Sequence, residues 1–135
     1  MGRIDDKIKE IEDFLQQLEP ILPFNFMEYK NDFEKKAACE RYFEKIVEAI
    51  VDLAFLVVKE KKLTLPEDEK VVFEILGEEK IISKNLVCHL KEAKGMRNIL
   101  AHQYGTTDDK QVFNSITNEL IRDTQEFLEC IKKTF

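Results

Sequence analysis

The sequence is poor in the residues that make turns, with four glycines, three prolines and no tryptophan among 135 residues. All-β sandwiches and barrels need many turns between short strands, so this scarcity argues against them. No segment alternates apolar and polar residues as a half-buried strand does. With 44% hydrophobic and 36% charged residues, the composition favours a single helical domain with a real core.

Cysteine and histidine are also scarce. Cys39, Cys88 and Cys130 lie far apart and form no C-x-x-C pair, and the chain has two histidines. This pattern argues against a disulfide scaffold and against a cysteine zinc site. Unpaired cysteines favour a reducing, cytoplasmic location.

Positive charge is in deficit, because 21 Lys+Arg stand against 27 Asp+Glu for a net charge of -6. Such a balance argues against a non-specific polyanion binder, although it leaves a local basic site open.

Long hydrophobic runs are missing as well. The longest, residues 46–58, is interrupted by Glu48 and Asp52 and is shorter than the roughly 20 residues that span a bilayer. We therefore expect no membrane partner.

Apolar residues recur at intervals of three or four along most of the chain, which indicates helices. We predict one all-α domain over residues 1–135, an up-and-down helical bundle of four longer helices and one short helix. The predicted helices span 4–22, 27–62, 67–76, a fourth from Ser83 or Asn85 to about 102–105, and a fifth that begins at Thr107 or Asp108. The second helix is apolar nearly all round from Ile46, so it should be the central element. Gly77 is the expected cap of the short helix.

Arg97 stands at an apolar position of the fourth helix, where a guanidinium needs a carboxylate or an anion. The second helix offers Glu48 and Asp52, which are four residues apart and share one face. The two helices would then enclose Arg97, Asp52 and Glu48 in one polar seam. Such a seam is either a structural ion pair that sets helix register or part of a functional site.

Further polar residues gather beside Arg97. Asn98 and His102 are neighbours at i, i+4, and Tyr104 follows where the chain leaves the helix. A lone helical histidine is usually a partly exposed polar residue, and this is our interpretation of His89. The cluster around His102 favours a site, because a register device does not need His102 and Tyr104 together.

The block Arg97-x-x-x-x-His102-x-Tyr104 resembles the R-x-x-x-x-H-x-Y signature of the HEPN-domain ribonuclease toxins. A polar residue, Asn98, directly follows the arginine, as is common in that family. The surroundings resemble the HepT branch, with A-I-V-D-L-A at residues 49–54 and M-R-N-I-L-A-H-Q-Y at residues 96–104. The resemblance covers nearly the whole chain.

This resemblance implies a HEPN-like fold, a homodimer and an endoribonuclease that cleaves RNA without a metal or another cofactor. It also implies a MntA-like nucleotidyltransferase antitoxin that silences the toxin by adenylylating the motif tyrosine, Tyr104 here. Arg97 and His102 would be the catalytic pair, with Asn98, Asp52 and Glu48 as supporting residues.

The chemistry of the side chains agrees with that implication. Metal-independent RNA cleavage uses the ribose 2′-hydroxyl, so it needs a proton acceptor and a group that stabilises negative charge. An unperturbed imidazole titrates near pH 6.5, at roughly the pH of the cell. The guanidinium is permanently charged. One arginine and one histidine are few, so we expect a two-fold dimer to bring two sets together.

Two other interpretations use the same residues. The chain would be a non-catalytic helical subunit that binds substrate for a minimal nucleotidyltransferase, or a structural adaptor whose polar seam sets dimer register. Cleavage of RNA in EDTA separates the enzyme from both.

Overall fold

The computed structural model describes residues 2–102 and 108–135. Helices account for most of these residues, and no strand occurs in either range. The α-helices are α1 (Arg3–Leu18), α2 (Phe26–Asn31), α3 (Phe33–Glu60), α4 (Val72–Glu78), α5 (Lys84–His102), α6 (Asp109–Asn114) and α7 (Ile121–Thr134). A π-helical segment, Ser115–Leu120, joins α6 to α7 without a break. The predicted all-α fold is confirmed.

The central element is α3, as predicted. From Ile46 to Val58 its side chains are buried on nearly every side, with Glu48 and Asp52 exposed. α1 packs along α3 through a buried stripe at helical spacing. The stripe consists of Ile4, Ile8, Ile11, Leu15 and Leu18. A helix that is apolar all round requires neighbours on all sides, and this requirement organises the bundle.

The predicted single helix over 27–62 is wrong at Asp32, where the backbone turns to φ -97° and ψ 95°. Asp32 ends α2 and begins α3, and its carboxylate accepts the N–H of Lys35 at 3.0 Å. Aspartate is among the preferred N-cap residues. The break lets α2 turn Tyr29 into the core, where its hydroxyl donates to Glu40 Oε2 at 2.7 Å.

Gly77 is not the helix cap that the sequence predicted. α4 continues to Glu78, and the left-handed residue after it is Lys80, with φ 60°. Gly77 instead faces α5, where an added Cβ would lie 2.7 Å from Val87 Cγ2. The glycine therefore permits the close approach of α4 and α5.

Two predicted helix starts are resolved by their capping bonds. Ser83 begins α5, because its hydroxyl accepts the N–H of Leu86 at 3.1 Å. Asp108 begins α6, and its carboxylate accepts the N–H groups of Lys110 and Gln111. The other candidate for that cap, Thr107, lies outside the described residues. These caps fix where α5 and α6 begin.

Candidate active site

Three of the predicted site residues, Arg97, Asn98 and His102, lie in the last two turns of α5. Leu86 and Leu90 are buried and hold the first half of the helix against the core. Beyond them the helix carries Arg97, Asn98 and His102 towards its C-terminal end. Arg97 and Asn98 are half-buried, and His102, the last residue of α5, is exposed. The sequence therefore places a cation, an amide and an imidazole on one accessible helix end.

Arg97 is held by two contacts. Its Nη2 lies 3.6 Å from Glu48 Oε2 on α3, and its Nη1 donates to Asn98 Oδ1 at 2.9 Å. The ion pair with Glu48 was predicted and is confirmed. The expected burial is not, because the Arg97 side chain keeps 25% of its surface exposed. The buried cation of α5 is Lys94, three residues earlier, which lies 3.7 Å from Glu69.

Asp52 does not join this seam. Its carboxylate forms an ion pair with Lys7 of α1 at 3.6 Å. Although Asp52 is exposed, partial desolvation by the surrounding protein raises its pKa, and the positive charge of Lys7 opposes that rise. Glu48 and Asp52 lie one turn apart on the same face of α3, yet the first contacts α5 through Arg97 and the second contacts α1 through Lys7. Of the two carboxylates that the sequence proposed for Arg97, Glu48 is the one in contact.

Tyr104, the predicted modification site, lies outside the described residues. The described chain ends on one side at His102 and resumes at Asp108, which caps α6. A salt bridge of 3.6 Å between Lys36 and Asp109 fixes the start of α6 against α3. The position of Tyr104 two residues after His102 is therefore a fact of sequence, and its role stays a prediction.

A second polar cluster was not predicted. His89 is half-buried, and its Nδ1 lies 3.2 Å from Oδ1 of Asp123, a buried residue of α7. Arg122 Nε donates to the same carboxylate oxygen at 3.1 Å. The signal in the sequence is Asp123 itself, which stands at apolar spacing between Leu120 and Phe127. His89 is thus the partly exposed polar residue that the sequence predicted, with 33% of its side chain exposed, and its partner on α7 is what the sequence did not predict.

Residues 2–102 and 108–135 contain no group of three or more His, Cys, Asp or Glu side chains placed to hold a metal ion. None of the helices in these ranges has the length and apolar character needed to span a membrane.

Comparison with known proteins identifies the family. The profile described as "Ribonuclease HepT-like" matches residues 4–131. A protein of Shewanella oneidensis named "mRNA nuclease HepT" is 26% identical over 105 residues, which is 78% of each chain. A protein of Aphanizomenon flos-aquae named "tRNA nuclease HepT" is 25% identical over 114 residues, 84% of this chain and 78% of that one.

Solved structures share the fold. A tri-AMPylated Shewanella oneidensis HEPN toxin in complex with MNT antitoxin superposes with a TM-score of 0.89 at 24% identity, covering 98% of this chain and 99% of that one. A toxin–antitoxin structure with AMP-PNP has a TM-score of 0.87 at 23% identity, covering 96% and 97%. The match over nearly the whole chain, on an all-α structure with Arg97 and His102 at the end of α5, shows that this protein belongs to the HepT-like ribonuclease family.

Proposed function

We propose that this protein is a metal-independent endoribonuclease toxin whose active site lies at the C-terminal end of α5. The observation that carries the proposal is the placement of Arg97, Asn98 and His102 in the last two turns of one accessible helix. Glu48 and Asn98 hold the guanidinium there. The two HepT relatives are named as nucleases of mRNA and of tRNA, so RNA is the substrate class that we propose.

In this reaction the ribose 2′-hydroxyl attacks the adjacent phosphorus and the 5′-oxygen leaves. His102 takes a proton from the attacking 2′-oxygen and gives a proton to the leaving 5′-oxygen. Such positioned proton transfer contributes about 10²–10⁴-fold in rate. Arg97 stabilises the negative charge that develops on the phosphoryl oxygens. Asn98 accepts a hydrogen bond from Arg97, so its role is to orient the guanidinium. No step needs a metal or another cofactor.

We propose further that the working form is a homodimer with the site at the cleft between two copies. A single helix end supplies one imidazole and one guanidinium, and a two-fold axis beside α5 would double both. Solution scattering at micromolar concentration tests this. A dimer mass is expected, and a strict monomer that still cleaves RNA would contradict the composite site.

The proposed regulator is a MntA-like nucleotidyltransferase antitoxin that adenylylates Tyr104. A structural relative is a tri-AMPylated toxin bound to such an antitoxin. Tyr104 follows Arg97 by seven residues, so nucleotides added to it would bring negatively charged phosphates to this part of the chain. Those phosphates would repel substrate RNA. Incubation with the antitoxin, ATP and Mg²⁺ should raise the intact mass of the wild-type chain and leave Tyr104→Phe unchanged. The same gain in both proteins would refute this assignment.

A cytoplasmic location belongs to the same proposal, since mRNA, tRNA and ATP are all present there. A structural relative from Bacillus subtilis is described as a cytosolic protein of unknown function.

The catalytic proposal is tested with purified protein and single-stranded RNA in EDTA. We expect cleavage by the wild type and its loss in Arg97→Ala and in His102→Ala. Arg3→Ala is the matched control for lost positive charge, because Arg3 lies beside Lys59 and Glu60 near the C-terminal end of α3. Equal cleavage by all four proteins would refute the assignment. A wild type that binds RNA without cutting it would favour the non-catalytic partner subunit.

A further inference from the structure

A cleft of about 500 Å³ lies between α5 and the continuous run formed by α6, the π-helical segment and α7. Its volume is in the range of small-molecule sites. Part of its lining is apolar, including Leu90 and Met96 of α5 and Leu120 of the π-helical segment. We call this space the α5–α7 cleft. It is separate from Glu48 and Asp52, which do not line it.

The α5–α7 cleft contains a fixed polar pair. The Asp123 side chain is 10% exposed, and it lies at hydrogen-bond distance from His89 Nδ1. This contact fixes the imidazole and leaves Nε2 as the ring nitrogen that is not bonded to Asp123. Both residues line the cleft.

The π-helical segment supplies the opposite wall. Ser115 and Glu119 both line the cleft, and the serine hydroxyl donates to Glu119 Oε1 at 3.2 Å. That bond leaves the other carboxylate oxygen of Glu119 available to a ligand. π-Helical turns are rare and occur frequently at functional sites, because the wider turn changes where side chains point. The segment thus places an acceptor on the wall that faces α5.

The charges of the lining define the ligand. Glu92, Glu119 and Asp123 are carboxylates, Gln111 and Asn114 are amides, and no lysine or arginine stands among the described lining residues. Asp123 is paired with Arg122, and a phosphate would be repelled by the other two carboxylates, Glu92 and Glu119. A flat group with N–H donors on its edge and an apolar face fits both the acceptors and the apolar wall. Nucleobases that carry an exocyclic amino group have this chemistry, and carboxylates accept from the N4 amino group of cytosine.

The position of the α5–α7 cleft relates it to the proposed active site. Met96 and Ile99, which line the cleft, directly flank Arg97 and Asn98 in the sequence of α5. Arg97 and the cleft therefore share one helical turn of α5, about 5.4 Å along its axis. RNA is commonly recognised as splayed-out single-stranded bases.

We propose that the α5–α7 cleft binds a base of the RNA substrate that carries an exocyclic amino group, with Glu119 as the acceptor that distinguishes cytosine from uracil. The identity of the ligand as RNA rests on the proposed function. Glu119 accepts the amino N–H, whereas uracil presents a carbonyl oxygen at the same place and would face the carboxylate with like polarity.

The test measures binding of fluorescent 2′-O-methyl hexamers of cytidine and of uridine, which cannot be cleaved through the 2′-oxygen. We expect the wild type to bind the cytidine hexamer roughly tenfold more tightly, as a hydrogen-bonded base contact provides. Glu119→Gln should reduce this preference to about twofold or less, because an amide both donates and accepts. Glu129→Gln removes the same charge from an exposed position of α7 outside the cleft and should keep the preference.

Equal binding of the two hexamers by the wild type would overturn the inference, as would an unchanged preference in Glu119→Gln. If Glu119→Gln changes the oligomeric mass in solution, Glu119 lies at a contact with a second copy of the chain. The second copy would then cover the cleft, and the inference would be overturned. The hexamers separate this result from the proposed function. If the preference depends on Glu119 but no RNA is cleaved, base binding in the cleft is supported and the nuclease proposal is refuted. If RNA is cleaved but neither hexamer is preferred, the nuclease proposal is supported and base binding in the cleft is refuted.

Discussion

The contact of Gly77 with α5 predicts how much the substitution Gly77→Ala changes the free energy of unfolding. In Gly77→Ala the new Cβ would lie 2.7 Å from Val87 Cγ2. Valine in a helix has one strongly preferred rotamer, so it cannot easily turn away. Overpacking of this kind costs about 1–3 kcal/mol. The gain in helix propensity from glycine to alanine is about 0.8–1 kcal/mol. We therefore expect a net loss of about 1 kcal/mol in the free energy of unfolding.

The matched control is Gly95→Ala. Gly95 lies inside α5, and a Cβ added there meets no atom within 4 Å. The same substitution should therefore raise the free energy of unfolding by about 0.8–1 kcal/mol. Urea unfolding of the two variants should separate them by about 2 kcal/mol at an unchanged m-value. If Gly77→Ala is as stable as Gly95→Ala, the packing of α4 against α5 described above is wrong.

Three more predictions concern the contacts of α3. Glu48→Gln should lower kcat for RNA by up to about fivefold with little change in KM, because the ion pair orients Arg97 and exposed pairs contribute up to about 1 kcal/mol; a wild-type kcat would remove Glu48 from the site. Asp52→Asn should leave kcat unchanged. Since partial desolvation raises the pKa of Asp52, wild-type stability falls as pH rises through that pKa, and the stability of Asp52→Asn relative to wild type should rise over the same pH range. An opposite trend in urea unfolding would contradict this sign. Tyr29→Phe should destabilise by about 1.5–3 kcal/mol, the contribution of a hydrogen bond to a charged group such as Glu40; urea unfolding with no loss would show that the bond is dispensable.

Most of the fold could be predicted because apolar spacing marks helices independently of their partners. The buried stripe of α1 and the buried second half of α3 follow directly from that spacing. Breaks are harder to predict, since Asp32 is an unremarkable polar residue until its carboxylate caps α3. Gly77 shows a second limit. A glycine near a helix end fits a cap or a close contact equally well, and only the position of Val87 decides between them.

The candidate site was predicted in part. The motif placed Arg97, Asn98 and His102 together because residues on one helix have fixed relative positions. Contacts between helices depend on rotation about each axis, and so Glu48 reached Arg97 while Asp52 turned to Lys7. The pairing of His89 with Asp123 joins residues 34 positions apart. Such a pair has no local signature apart from a carboxylate at an apolar position.

The central claim is that His102 and Arg97 cut RNA through its own 2′-hydroxyl. The most direct measurement follows a single-stranded RNA and its all-deoxy copy in EDTA, with the new ends identified by mass spectrometry. We predict that the wild type cuts the RNA, leaves 2′,3′-cyclic phosphate ends and spares the deoxy copy, and that His102→Ala cuts neither. Cleavage of the deoxy copy, or wild-type cleavage by His102→Ala, would contradict the account.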